Sequence, residues 1–133
     1  MYDNPLVRDY WLTGQAFNGA DIVKRIKNPR KGSKGKVRSV EAIVTTTCAG
    51  ATTTPKVQIG DGTTANKYAD VALGTTAAGS SVMARDYAGG IKALADGAYV
   101  LTDSDGDLVV TLKAATGAGA AGVADIGIVV EWV

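Results

Sequence analysis

The chain of 133 residues has no histidine, one cysteine, two glutamates, three prolines and a single phenylalanine. Without histidine, Ser-His-Asp and Cys-His nucleophilic machinery has no base. The common zinc sites, which draw on several Cys and His, lack their ligands. A lone thiol, Cys48, leaves no intrachain disulfide to staple the fold. Aromatic residues make up 6% of the chain, so the core has to be built from Val, Ile, Leu and Ala, which bury less area each. Thin cores of this kind are often supplemented by oligomerisation. No uninterrupted apolar run approaches the roughly 20 residues of a membrane span, and no charged-then-apolar opening marks a signal peptide. There is no Gly-x4-Gly-Lys-[Ser/Thr] run, and Gly60-Asp61-Gly62 is not followed by a helical pattern. No cofactor is expected.

What is present is strand pattern. In Val123–Val133, Ile126, Ile128, Val130 and Trp132 recur at a spacing of two, the period of a strand with one buried face. Asp125, Gly127, Val129, Glu131 and Val133 occupy the other face. Lys36–Thr47 also alternates, with Val40, Ala42 and Val44 on one face and Val37 and Ile43 on the other, and is the expected neighbour of the last strand. Asn18–Ile26 is expected to form a short strand or a turn, and shorter strands are expected at Val57-Gln58-Ile59, over Lys67–Leu73 and over Ser81–Tyr87. Tyr99–Thr102 and Leu108–Leu112 flank Asp103-Ser104-Asp105-Gly106-Asp107, and an Asp-Gly turn between β-branched runs reads as a hairpin. About eight strands with turns every eight to twelve residues, and no helix, predict an all-β antiparallel β-sandwich, jelly-roll-like. The expected division is an N-terminal extended arm and basic loop over 1–35 and the sandwich over 36–133, forming one structural domain.

Two carboxylate patterns invite a chemical reading. Asp103, Asp105 and Asp107 alternate as calcium ligands do, but Gly106 is fourth rather than sixth in the loop and residue 114 is Ala where an EF-hand needs Glu. A solvated hairpin tip accounts for them. Glu41 and Glu131 are the only glutamates, both on expected strands, and nothing else nearby points to glycosidase chemistry. The chain is not expected to be an enzyme.

The charge is uneven. Eight of the fourteen basic residues lie between Lys24 and Arg38, with no acidic residue between Ile22 and Val40. Such a run suits an anionic partner. Nucleic-acid modules usually add aromatics that stack on bases, and none lies between Asn18 and Tyr68, so an acidic protein surface is the expected partner and neither nucleic acid nor membrane is. Four of the eight aromatics, Tyr2, Tyr10, Trp11 and Phe17, stand in the opening stretch. This arm is expected to pack either on its own sandwich or on a neighbour. As partner contacts, Tyr2, Tyr10, Trp11 and Phe17 would be the apolar anchors, and Lys24, Arg25, Lys27, Arg30, Lys31 and Lys34 the basic rim. On this reading residues 1–17 are dispensable for folding.

The aromatic opening, the Thr/Ala/Gly-rich body, the run Val57-Gln58-Ile59-Gly60-Asp61-Gly62-Thr63-Thr64 and the hydrophobic closing strand together resemble the small decoration or cement proteins of tailed-bacteriophage heads. The resemblance implies a structural protein on the outer surface of the virion, often a homotrimer, that clamps neighbouring major capsid protein subunits. The alternative is a carbohydrate-binding or receptor-binding sandwich of a phage fibre or surface protein. An exposed Trp or Tyr on one sheet face would favour that alternative, and the sequence offers no obvious platform in Trp11 or Trp132.

Overall fold

A computed structural model describes residues 6–29, 35–85 and 107–132. Eight strands follow one another: β1 (Leu6–Ala16), β2 (Ile22–Ile26), β3 (Gly35–Ala49), β4 (Lys56–Gly60), β5 (Ala69–Ala72), β6 (Ser81–Arg85), β7 (Leu108–Lys113) and β8 (Ala121–Trp132). They form two antiparallel four-stranded sheets, ordered β1-β8-β3-β6 and β2-β7-β4-β5. The chain is an all-β antiparallel sandwich, and no helix occurs among the described residues.

One core fills the space between the sheets. From the first sheet come Val40, Ala42 and Val44 of β3 and Ile126, Ile128, Val130 and Trp132 of β8; from the second come Ile26, Val57, Ile59, Val71, Val110 and Leu112. The inner row of β8 is fully buried at all four positions, so the period-two pattern of the last strand is borne out, as is its pairing with β3. Trp132 is the largest of the fully buried side chains. Its Nε1–H donates to Tyr10 Oη at 3.1 Å, which satisfies the one polar group that a buried indole carries.

The opening stretch contributes a strand to each sheet. Leu6–Ala16 pairs along β8, from Leu6 against Trp132 to Ala16 against Val123, and Ile22–Ile26 pairs along β7. Phe17 sits where the chain crosses between the sheets. Its N–H donates to the Gly122 carbonyl and its own carbonyl accepts from the Ala115 N–H, both at 2.8 Å. The ring is fully buried, so Phe17 is a core residue and not a partner anchor. Tyr10 is partly buried and packs against the same core.

Val37 also differs from expectation. It is buried with Val40, although an even alternation puts them on opposite faces. The cause is a register shift between Val37 and Ser39: one extra residue, Arg38, reverses the facing of everything before it. The Gly60-Asp61-Gly62 turn forms as expected. Asp61 Oδ1 accepts from the N–H groups of Thr63 and Thr64 at 2.8 and 2.6 Å. Gly60 is required there because a Cβ would run into the Thr64 carbonyl. The expected Tyr99–Thr102 strand and the turn after it lie outside the described residues. The second half of that expected hairpin is β7, whose two edges are occupied by β2 and β4. Cys48 is fully buried, and desolvation pushes its thiol pKa up, which keeps it protonated and inert.

Trp132→Ala should cost about 3–5 kcal/mol in denaturant unfolding, and Tyr10→Phe about 1–3 kcal/mol, because it strands a buried donor. A chain starting at residue 18 loses an entire edge strand and the Phe17 ring, and should show no cooperative thermal transition. A sharp transition near that of the full chain would contradict the place assigned to β1.

Candidate functional site

The strands set two surfaces apart. The first is the outer face of the β1-β8-β3-β6 sheet, where the register lines side chains up in rows. One row runs Trp11, Gly127, Glu41, Met83 across all four strands, and the adjoining row brings Asp9, Val129 and Ser39 together. Trp11 is 50% exposed although it lies flat enough on the sheet that a Cβ on Gly127 would meet Cζ2 and Cη2 of its ring at 2.7 Å. The indole therefore has the strand backbone as its floor and an open opposite side. An aromatic laid over a cross-strand glycine covers backbone that would otherwise face water. Asp9, Trp11, Ser39, Glu41, Met83 and Val129 line a shallow cleft of about 220 Å³ with Gly127 at its base. No hydrogen bond or ion pair engages the carboxylates of Asp9 or Glu41 among the described residues.

Further along the same face, Arg38 Nε donates to Glu131 Oε2 at 2.6 Å, and Nη2 meets the same oxygen. Glu131 is 8% exposed, so its charge is matched by Arg38. Glu41 stands opposite Gly127, four residues from Glu131 along β8, or roughly 13 Å at strand rise. The carboxyl pairs of glycosidases stand about 5–10 Å apart.

The second surface is the outer edge of β2, beside which no further strand lies among the described residues. Val23 is 60% exposed, and Lys24 and Arg25 are exposed beside it. Lys24 has the same strand parity as Ile22 and Ile26 yet is exposed to water, and a Lys on an edge strand discourages edge-to-edge sheet pairing. Lys27 follows, 3.7 Å from the Asp107 carboxylate with its own side chain 85% exposed. The strand is tethered at its start. Asp21 takes Lys113 Nζ at 2.7 Å and the Ala114 N–H at 2.8 Å, and these hydrogen bonds, Lys113 first, hold its carboxyl below the ordinary value of 3.8.

Of the expected partner residues, Trp11 falls on the sheet face, and Lys24, Arg25 and Lys27 fall on the β2 edge. Tyr10 and Phe17 serve the core, while Tyr2, Arg30, Lys31 and Lys34 lie outside the described residues. Sequence reasoning missed Asp9, Ser39, Met83 and Gly127 as neighbours of Trp11. The available signal was the change of facing from Tyr10 to Trp11, legible only with the register against β8. Among the described residues no three acidic or cysteine side chains gather as a metal ion requires. No family model, curated protein or solved structure matches the chain.

The two depressed carboxylates give a pH prediction. Asp61 is held down to about 2 by the Thr64 and Thr63 N–H groups and then Lys67, and Asp21 is lowered as described. A group whose folded pKa lies below its unfolded one stabilises above the unfolded value and loses that contribution as pH falls through the folded one. Unfolding free energy should therefore drop from about pH 4 towards pH 2. In the Asp21→Asn, Asp61→Asn double variant, acid titration followed by circular dichroism should show a shallower drop over that window.

Proposed function

We propose that the protein is a structural virion component: a cement protein on the outer surface of a tailed-phage head, a homotrimer that clamps neighbouring major capsid subunits. The observation that carries this reading is the strand order. Sheets ordered β1-β8-β3-β6 and β2-β7-β4-β5 are what two interleaved Greek keys produce, and they support the jelly-roll arrangement, a fold of viral capsid and lectin domains. That support is an analogy at the level of fold, and the composition of the chain adds to it.

The outer edge of β2 supplies the docking chemistry. Val23 offers an apolar contact, and Lys24, Arg25 and Lys27 carry positive charge beyond the core. An acidic capsid surface complements them and gains steering and register from the charges. Exposed ion pairs are worth at most about 1 kcal/mol each, so the basic edge sets where the protein lands, and apolar contacts, including those between protomers, hold it there.

The test is reassociation with heads stripped of the protein. Reversing Lys24, Arg25 and Lys27 to Glu should weaken binding by about tenfold or more at low salt and by less at high salt. Sedimentation of the purified protein should give a trimer mass. Unchanged binding by the triple variant would overturn the docking edge, and a chain that never associates with heads would overturn the cement reading.

A further inference from the structure

The outer face of the β1-β8-β3-β6 sheet has no part in the docking edge just described. Its central cleft is lined by the half-exposed Trp11, by two acidic residues, Asp9 and Glu41, and by Ser39, with Met83 and Val129 beside them. The geometry points to a binding site for a neutral sugar ring, seated on Trp11 and held at its edge by Asp9, Glu41 and Ser39.

The argument is one of chemical match. A pyranose has a patch of C–H groups on one side and hydroxyls around its rim. The C–H patch suits a flat, half-exposed indole, which presents an apolar body at low cost in conformational freedom. The rim hydroxyls are donors, and ionised carboxylates are acceptors only, with two oxygens each. Neither carboxylate is engaged elsewhere among the described residues. Ser39 both donates and accepts, which a polyol can use in full. The cleft of about 220 Å³ is smaller than the roughly 300–1,000 Å³ of sites for drug-sized ligands, so it fits one ring of a glycan whose remaining residues lie in solvent. Two negative charges at the rim disfavour sialylated or uronic-acid sugars. A cationic side chain is the competing ligand, but exposed ion pairs add little in water, and a cation, which only donates, uses Ser39 as an acceptor alone.

Gly127 acts as the positioning residue. Its backbone is the floor of the indole, and a methyl group there would meet the six-membered part of the ring at 2.7–2.9 Å. The atoms it meets are the far end of one side chain, so Gly127→Ala tilts Trp11 and leaves the strand in place.

The experiment uses the full chain and a panel of galactose-, glucose- and N-acetylglucosamine-terminated oligosaccharides, with sialylated counterparts and arginine amide. Trp132 is fully buried, so a ligand-dependent change in tryptophan emission reports on Trp11. A saturable change with at least one neutral glycan is expected, with weaker binding of its sialylated form. Trp11→Ala should abolish the response, while Glu41→Gln and Gly127→Ala should each weaken binding by about three- to tenfold without moving the unfolding midpoint by more than a few degrees. Two-dimensional NMR should place the shifts on β1, β3 and β8. No saturable response to any neutral glycan would overturn the proposal, as would one that survives Trp11→Ala with unchanged affinity. Arginine amide binding where the glycans fail would reassign the cleft to a cationic partner. Head reassociation is a separate measurement, and neither result predicts the other.

Discussion

The burial of one strand governs the rest of this fold. β8 lies between β1 and β3, and its inner row of Ile126, Ile128, Val130 and Trp132 is wholly withdrawn from water. At about 25 cal/mol per Å² of apolar surface, those four side chains are worth several kcal/mol, a large share of the net stability of a small domain. The cost of burying an indole N–H is met by Tyr10 on the neighbouring strand. β1 is held to the sheet by its ladder along β8, and it also brings the hydroxyl that leaves the buried indole N–H with a partner.

How much of this was legible in the sequence depended on how local the cause was. The last strand and its partner could be read because alternation over ten residues is unambiguous. The turn at Asp61 could be read because Gly-Asp-Gly chemistry is local. Phe17 was misread because its burial comes from its place at the crossing between two sheets, tied to Gly122 and Ala115, and no window of sequence contains those contacts. Val37 was misread because a bulge changes facing without leaving a mark on composition. Trp11 and Tyr10 are adjacent aromatics with opposite roles, and only the register against Ile128 and Gly127 tells them apart.

Charge follows the same logic. Arg38, the extra residue of the bulge, is aimed at Glu131 and neutralises a carboxylate that the sheet has nearly buried. Lys24 and Arg25 are on an edge, where charge is cheap and blocks unwanted strand pairing. A run of eight basic residues therefore divides into positions with different physical duties, and counting charges along the sequence treats them as one feature.

Core and cleft are coupled through register. In a strand with period two, a slip of one residue exchanges the two faces completely. In β8 a slip would bring Asp125, Gly127 and Glu131 inward and expose the apolar row, so the core alone excludes it. The alignment of β1 is pinned separately. Gly14 adopts a positive φ of 62°, its N–H donates to Asp125 Oδ1 at 2.7 Å, and the irregularity between Leu12 and Gln15 is thereby fixed. Trp11 then has to stand opposite Gly127, the residue of the outer row with no side chain to lift the ring. The inner row fixes β8, Asp125 fixes β1 upon it, and the position of the indole on the outer face follows from both.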